Sequence, residues 1–134
     1  MKILIVDDDF VNRKLMSALL KDYGQCEVAS DGEEAIERYE KGVEDNDPVN
    51  VVFMDILMPG IDGHKALEKI REIEKREGIM YGDGAKIVMT SCLSDRQNVL
   101  SAFSEGAEYY LIKPVTPQKL YDLLKKMEID KQAV

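Results

Sequence analysis

The sequence predicts an α/β domain, a doubly wound parallel sheet of five strands interleaved with five helices. Three observations carry that prediction. Short, β-branched apolar runs alternate strictly with longer segments of helical period. The 134 residues, 45% hydrophobic and 33% charged, suffice for one core and one domain. Acidic, hydroxyl and ammonium side chains stand just past the apolar runs, on the edge where such sheets hold their ligands.

Residues 3–6 are Ile-Leu-Ile-Val, a wholly apolar run that predicts a strand buried on both faces. From 10 to 23, Val11, Leu15, Ala18 and Leu19 recur at helical spacing, and Gly24 suits a C-terminal cap. Residues 26–29 predict a second strand. Asp31-Gly32-Glu33-Glu34 opens the next helix with a capping-type start, and Gly42 suits its close. Pro48 precedes a third strand at 51–54. Residues 59–62 carry turn chemistry. The following helix, 63–76, lines up Ala66, Leu67, Ile70 and Ile73. Residues 77–84 are glycine-rich and aperiodic, a surface loop.

Residues 87–89 predict a fourth strand. Ser94 and Gln97 form a Ser-x-x-Gln capping box ahead of Val99, Leu100 and Phe103. Residues 109–112 are the fifth strand. Thr116-Pro117 supplies a cap and a proline at the first helical position, for a helix reaching about residue 127. The domain thus spans 1–128, with 129–134 a short frayed tail. Strict alternation of this kind requires a parallel sheet covered on both faces.

The formal net charge of −8 repels phosphate backbones, so direct nucleic-acid binding is not expected, and the charge suits metal cations or a basic patch on a partner protein. The two cysteines, Cys26 and Cys92, are far apart in sequence, with no metal-ligand spacing. Both read as small buried apolar residues in a reducing compartment. No apolar run approaches the length of a membrane span or signal core, so the expected location is cytoplasmic, away from membranes.

At the strand ends stand Asp7, Asp8 and Asp9, then Asp55, then Thr90 and Ser91, then Lys113-Pro114. Carboxylates brought together repel unless a cation sits among them. Hard oxygen ligands at an open site suit Mg²⁺. Asp55 beside such a cation could attack phosphorus, with Lys113 and Thr90 donating to phosphoryl oxygens. Asp8 or Asp9 also suits the N-cap of the first helix.

Four segments together, ILIVDDD at 3–9, VVFMDILMPGIDG at 51–63, IVMTS at 87–91 and EGAEYYLIKPVTP at 105–117, resemble the receiver domain of two-component response regulators. The resemblance implies a flavodoxin-like receiver fold with strand order 2-1-3-4-5. It implies Asp55 as phosphoacceptor, Asp8 as direct Mg²⁺ ligand, Asp7 acting mostly through water, and the Leu57 backbone carbonyl as a further ligand. It carries no role onto Asp9. Lys113 and Thr90 would bond the phosphoryl group, and Tyr110 would be the aromatic switch. Pro59 and Gly63 match the loop and helix start after the acceptor, and Pro114 matches a proline often preceded by a cis peptide.

The implied partners are a sensor histidine kinase or histidine phosphotransfer protein, and a downstream protein on the face of the fourth helix, fifth strand and fifth helix. Such a domain assists its own phosphorylation and dephosphorylation and is not a conventional enzyme. It stands either alone, as chemotaxis regulators do, or as a receiver fragment of a longer regulator or hybrid kinase. Asn12-Arg13 resembles receivers of hybrid kinases and phosphorelays. Phe10, Val11 and Leu15 suit a helical histidine-bearing partner, and core packing explains Val11 and Leu15 equally well. Leu57 and Cys92 occupy positions that tune acyl-phosphate lifetime, and neither orients water well. Tyr109 is expected to be exposed, and His64 to be a surface helix residue. A haloacid-dehalogenase-like phosphatase would need an aspartate where Leu57 stands, and a dinucleotide module would need glycines where Asp7 to Asp9 stand.

Overall fold

Each apolar run finds parallel neighbours. The computed structural model describes residues 1–80, 82–93 and 96–132. The elements in order are β1 (Lys2–Val6), α1 (Phe10–Leu20), β2 (Gln25–Ala29), α2 (Gly32–Glu44), β3 (Val51–Asp55), α3 (Gly63–Arg76), β4 (Lys86–Ser91), α4 (Arg96–Ser104), β5 (Tyr109–Ile112) and α5 (Pro117–Lys126). The strands form one parallel sheet in the order β2-β1-β3-β4-β5.

Strand alternation divides the core into two layers. Leu4, Val6, Val52, Met54, Ile87 and Met89 face α2, α3 and α4, where Tyr39, Leu67, Ile70 and Ala102 meet them. Ile3, Ile5, Val51, Phe53 and Val88 face α1 and α5, against Met16, Leu20, Leu120 and Leu124. Burial on both faces explains why β1 and β3 read as unbroken apolar runs.

Helix starts follow local chemistry. Asp9 accepts from the Val11 amide, Asp31 from Glu34, Asp62 from Lys65, and Thr116 from Lys119 ahead of Pro117. Each such cap contributes about 1 kcal/mol. Asp9 is therefore the cap of α1, which settles the choice between Asp8 and Asp9.

Several expectations shift. Val11 and Leu15 are 68% and 47% exposed, and the buried face of α1 is Met16 and Leu20. The apolar stripe over 11–18 therefore faces solvent, and core packing is not its reason. α1 ends at Leu20 rather than running to Gly24. Gly42 does not end α2; it lies inside the helix, where a Cβ would stand 2.9 Å from the Asp47 carbonyl oxygen. The described part of the tail, 129–132, packs on the domain: Ile129 covers the α1/α5 layer, and the Gln132 amide donates to the Asp22 carbonyl at 2.7 Å. The Ser94 capping box includes a residue outside those described, and α4 is described from Arg96.

Tyr109 and Tyr110 point to opposite layers as strand alternation requires, and both are half-buried. Tyr109 is thus not the solvated aromatic the sequence suggests. No helix among the described residues is long and apolar enough to cross a membrane.

Candidate functional site

Strand register assembles the site. Val6 pairs with Met54, Asp55 with Thr90, and Ser91 with Ile112. The residues at or just past those pairs are Asp7, Asp55, Thr90 and Lys113, so four elements deliver them to one edge. Gly63 lets α3 start tight against that edge: its amide donates to the Ile56 carbonyl at 2.8 Å, and a Cβ there would lie 2.3 Å from the Asp55 carbonyl oxygen. Any side chain would push the Asp55 loop outward.

Asp7, Asp8 and Asp55 each offer a carboxylate oxygen within 4.8 Å of the others. Asp7 and Asp55 are buried, whereas Asp8 is exposed. The Lys113 ammonium donates to Asp7 Oδ2 at 3.0 Å and pairs with Asp55 Oδ2 at 3.3 Å. Asp7 Oδ1 accepts from the Asp9 amide at 2.9 Å, so both Asp7 oxygens have protein donors. Among the described residues, no hydrogen bond reaches the Asp8 carboxylate. The Arg13 guanidinium donates to the Asp7 carbonyl at 2.7 Å and fixes the backbone there.

Three carboxylates face one ammonium, and the imbalance registers in the titration of Asp55. Burial raises the Asp55 pKa, Lys113 draws it back, and Asp7 and Asp8 raise it further, for a value of about 6 against an ordinary 3.8. Burial alone would lower the Lys113 pKa; the Asp7 hydrogen bond and the Asp55 and Asp7 charges outweigh it and leave the ammonium above the ordinary lysine value. A cation among the carboxylates would restore balance. The donors are all hard oxygens and one carboxylate faces solvent, which fits Mg²⁺ with retained waters.

Around this centre, Leu57 projects into solvent two residues past Asp55. Cys92 is exposed, not buried as the sequence suggests, while Cys26 is half-buried. The Lys113–Pro114 peptide is cis. The Tyr110 hydroxyl donates to the Leu93 carbonyl at 2.7 Å, next to the loop that follows β4. A cavity of about 350 Å³ reaches from Asp7, Thr90 and Lys113 down between α1 and the start of α5. Leu15 on α1 lines it, and Phe10, Val11 and Leu15 are all exposed on that helix.

The structure brings Asp7, Asp8, Asp55 and Lys113 together, with Thr90 paired to Asp55, whereas Tyr110 packs in the layer of α2, α3 and α4. Sequence reasoning missed the anchoring by Arg13. A basic residue one turn into a helix that starts at an acidic strand end was the available signal.

The comparisons agree with this geometry. The Hybrid signal transduction histidine kinase B of Dictyostelium discoideum is 38% identical over 132 residues, covering 93% of this chain but 6% of that protein. Chemotaxis protein CheY of Treponema pallidum is 34% identical over 123 residues, covering 90% of this chain and 78% of that protein. This chain therefore spans only a small part of the hybrid kinases it matches. Among solved structures, the CheX–CheY–BeF3–Mg²⁺ complex from Borrelia burgdorferi superposes with a TM-score of 0.80 at 27% identity, covering 97% of this chain and 90% of that one. The model of the response regulator receiver domain matches residues 3–125, and on that match, with the acidic edge in place, the chain belongs to the response regulator receiver domain family.

Proposed function

We propose that Asp55 accepts a phosphoryl group from a phosphohistidine on a sensor kinase or histidine phosphotransfer protein, and that the charge change switches the surface around Thr90 and Tyr110. The observation that carries this reading is the imbalance at the sheet edge: three clustered carboxylates against the single ammonium of Lys113. A purely structural cluster would be neutralised by its neighbours.

Mg²⁺, when bound, would neutralise the carboxylates and the incoming phosphoryl oxygens. Asp8 is the direct protein ligand in this reading, because its oxygens are open to solvent, together with Asp55 and the Leu57 backbone carbonyl. Asp7 is already held by Lys113 and the Asp9 amide, so it acts on the ion mainly through water. An Asp55 oxygen attacks phosphorus; the P–N bond to the donor histidine breaks as the P–O bond forms, and the histidine keeps the electron pair. Lys113 then shifts from Asp55 to a phosphoryl oxygen, with Thr90 as a second donor. Movement of Thr90 would act on Tyr110 through β4, since Tyr110 pairs with Met89, the residue before Thr90. Hydrolysis of the acyl phosphate resets the domain. Leu57 and Cys92 flank the site without orienting water, which predicts a long-lived phosphorylated state.

The exposed Phe10, Val11 and Leu15 supply an apolar landing for a partner helix beside Asp55. The α4–β5–α5 face, with Leu100, Phe103 and Tyr109, is the surface assigned to a downstream protein. The domain would act by protein contact in the cytoplasm, either alone or as a part of a longer regulator or hybrid kinase.

Beryllofluoride with Mg²⁺ tests the reading. Backbone amide shifts at Thr90, Tyr110 and Lys113 should move on addition of both, and Asp55→Asn should remove the response. Shifts that persist in Asp55→Asn would overturn Asp55 as the acceptor.

A further inference from the structure

His64 is the one histidine of the chain. It is not a free surface residue: its side chain, at the first turn of α3, is 17% exposed. Its Nδ1 lies 2.5 Å from Glu105 Oε1, just past the end of α4, and its Nε2 lies 3.4 Å from Asn98 Oδ1 within α4. A nitrogen and a carboxylate oxygen this close share a proton.

Glu68, one turn further along α3, also faces Glu105, and Lys65 pairs with Glu68 at 3.6 Å. Burial raises the Glu105 pKa, His64 draws it down, and Glu68 pushes it up, for a net rise. Ala102 is the one buried residue of α4 among those described, while Leu100 and Phe103 are exposed. The His64 contact adds a polar hold where that apolar packing is thin.

We propose that the His64–Glu105 contact is a proton-operated latch that pins α4 to α3. Closed, it holds a proton between two helices. Without that proton, Glu105 faces Glu68 as a like charge at a partly buried site, and α4 loosens. The closed contact holds a proton that the open arrangement gives up, so closure takes up a proton and weakens as pH rises. Tyr110 donates to Leu93 on the approach to α4, so the latch would set how easily that helix shifts when Asp55 is modified. That consequence rests on the phosphoacceptor reading; the latch itself does not.

The test uses the unphosphorylated protein, without Mg²⁺ or phosphodonor, so its outcome is independent of Asp55 chemistry. NMR follows the His64 ring protons and the amides of 99–104 from pH 6 to pH 8. The amide shifts should titrate with the same midpoint as the ring. Hydrogen-exchange protection of α4, corrected for intrinsic rate, should fall about three- to ten-fold over that range. His64→Gln and Glu105→Gln should both flatten the response, and Asp55→Asn should leave it intact. The proposal fails if α4 in His64→Gln keeps the wild-type pH dependence, or if wild-type α4 stays unchanged while His64 titrates.

Discussion

The two ends of the sheet each bury charge, and they treat it in opposite ways. At the edge where the strands begin, Arg71 donates to Glu74, Glu108 and the carbonyls of Ala85 and Gly106. Glu74 in turn accepts from the Tyr39 hydroxyl and the Ala85 amide, and Glu108 accepts from the Ile87 amide. Every charge there has partners, and the network ties α2, α3, β4 and β5 together. At the opposite edge, Asp7, Asp8 and Asp55 cluster around one ammonium that pairs with only Asp7 and Asp55, and the Asp55 pKa is raised to about 6. Satisfied buried charge serves the fold. Unbalanced charge marks the edge where a cation would fit, as the proposed function requires.

The sharpest way to break this contrast is to remove the cation of the balanced end. Arg71→Met should leave Glu74 buried without its cation and cost about 3 kcal/mol, read by urea unfolding, with phosphoryl acceptance at Asp55 retained below the transition. A loss under about 1 kcal/mol would mean that network is not structural.

The unbalanced end should behave in the opposite sense. The Asp55 carboxyl titrates at about 6 in the folded protein against an ordinary 3.8, so the folded state holds its proton more tightly than the unfolded chain. That contribution to stability is present at low pH and is lost as pH rises through about 6. In metal-free protein Asp55→Asn should remove this slope and gain about 1–2 kcal/mol at pH 7.5. Mg²⁺ at millimolar levels should stabilise the wild type and not the variant. Equal pH slopes in the two proteins would contradict the electrostatic account.

The α1 stripe belongs to neither class. Leu15→Ser should change stability by less than about 0.5 kcal/mol, because the side chain faces water. Phosphotransfer from a histidine-bearing donor should nonetheless slow by about five-fold or more, while acetyl phosphate works normally. Slowing with both donors would place the defect in the site instead of the contact. The smallest stability effect should come from Leu57→Asn/Cys92→Glu. Its phospho-Asp55 should decay faster than wild type; equal or slower decay would sink the lifetime prediction.

Much of this was legible in the sequence. The strands showed because burial on both faces leaves no polar residue in 3–6 or 51–54, and the site showed because parallel register puts successive strand ends on one edge. Strand order and individual roles came from resemblance, since alternation fixes no order. What the sequence hid were choices between equivalent faces. Helical spacing fits Val11 and Leu15 to the core as well as Met16 and Leu20, and only the angle of α1 on the sheet decides. Arg71 and Glu74 stand at an ordinary i, i+3 spacing, and nothing in the sequence signals that Tyr39 and Gly106 join them. The isolated His64 carried no local signal, because its partner Glu105 lies 41 positions away.

The central claim is most directly tested by intact-mass spectrometry after incubation with acetyl phosphate. One phosphoryl group should be added that requires Mg²⁺, is cleaved by hydroxylamine as an acyl phosphate must be, and is absent in Asp55→Asn. A stable adduct of the same mass in Asp55→Asn, or one formed equally well with the metal chelated, would contradict it.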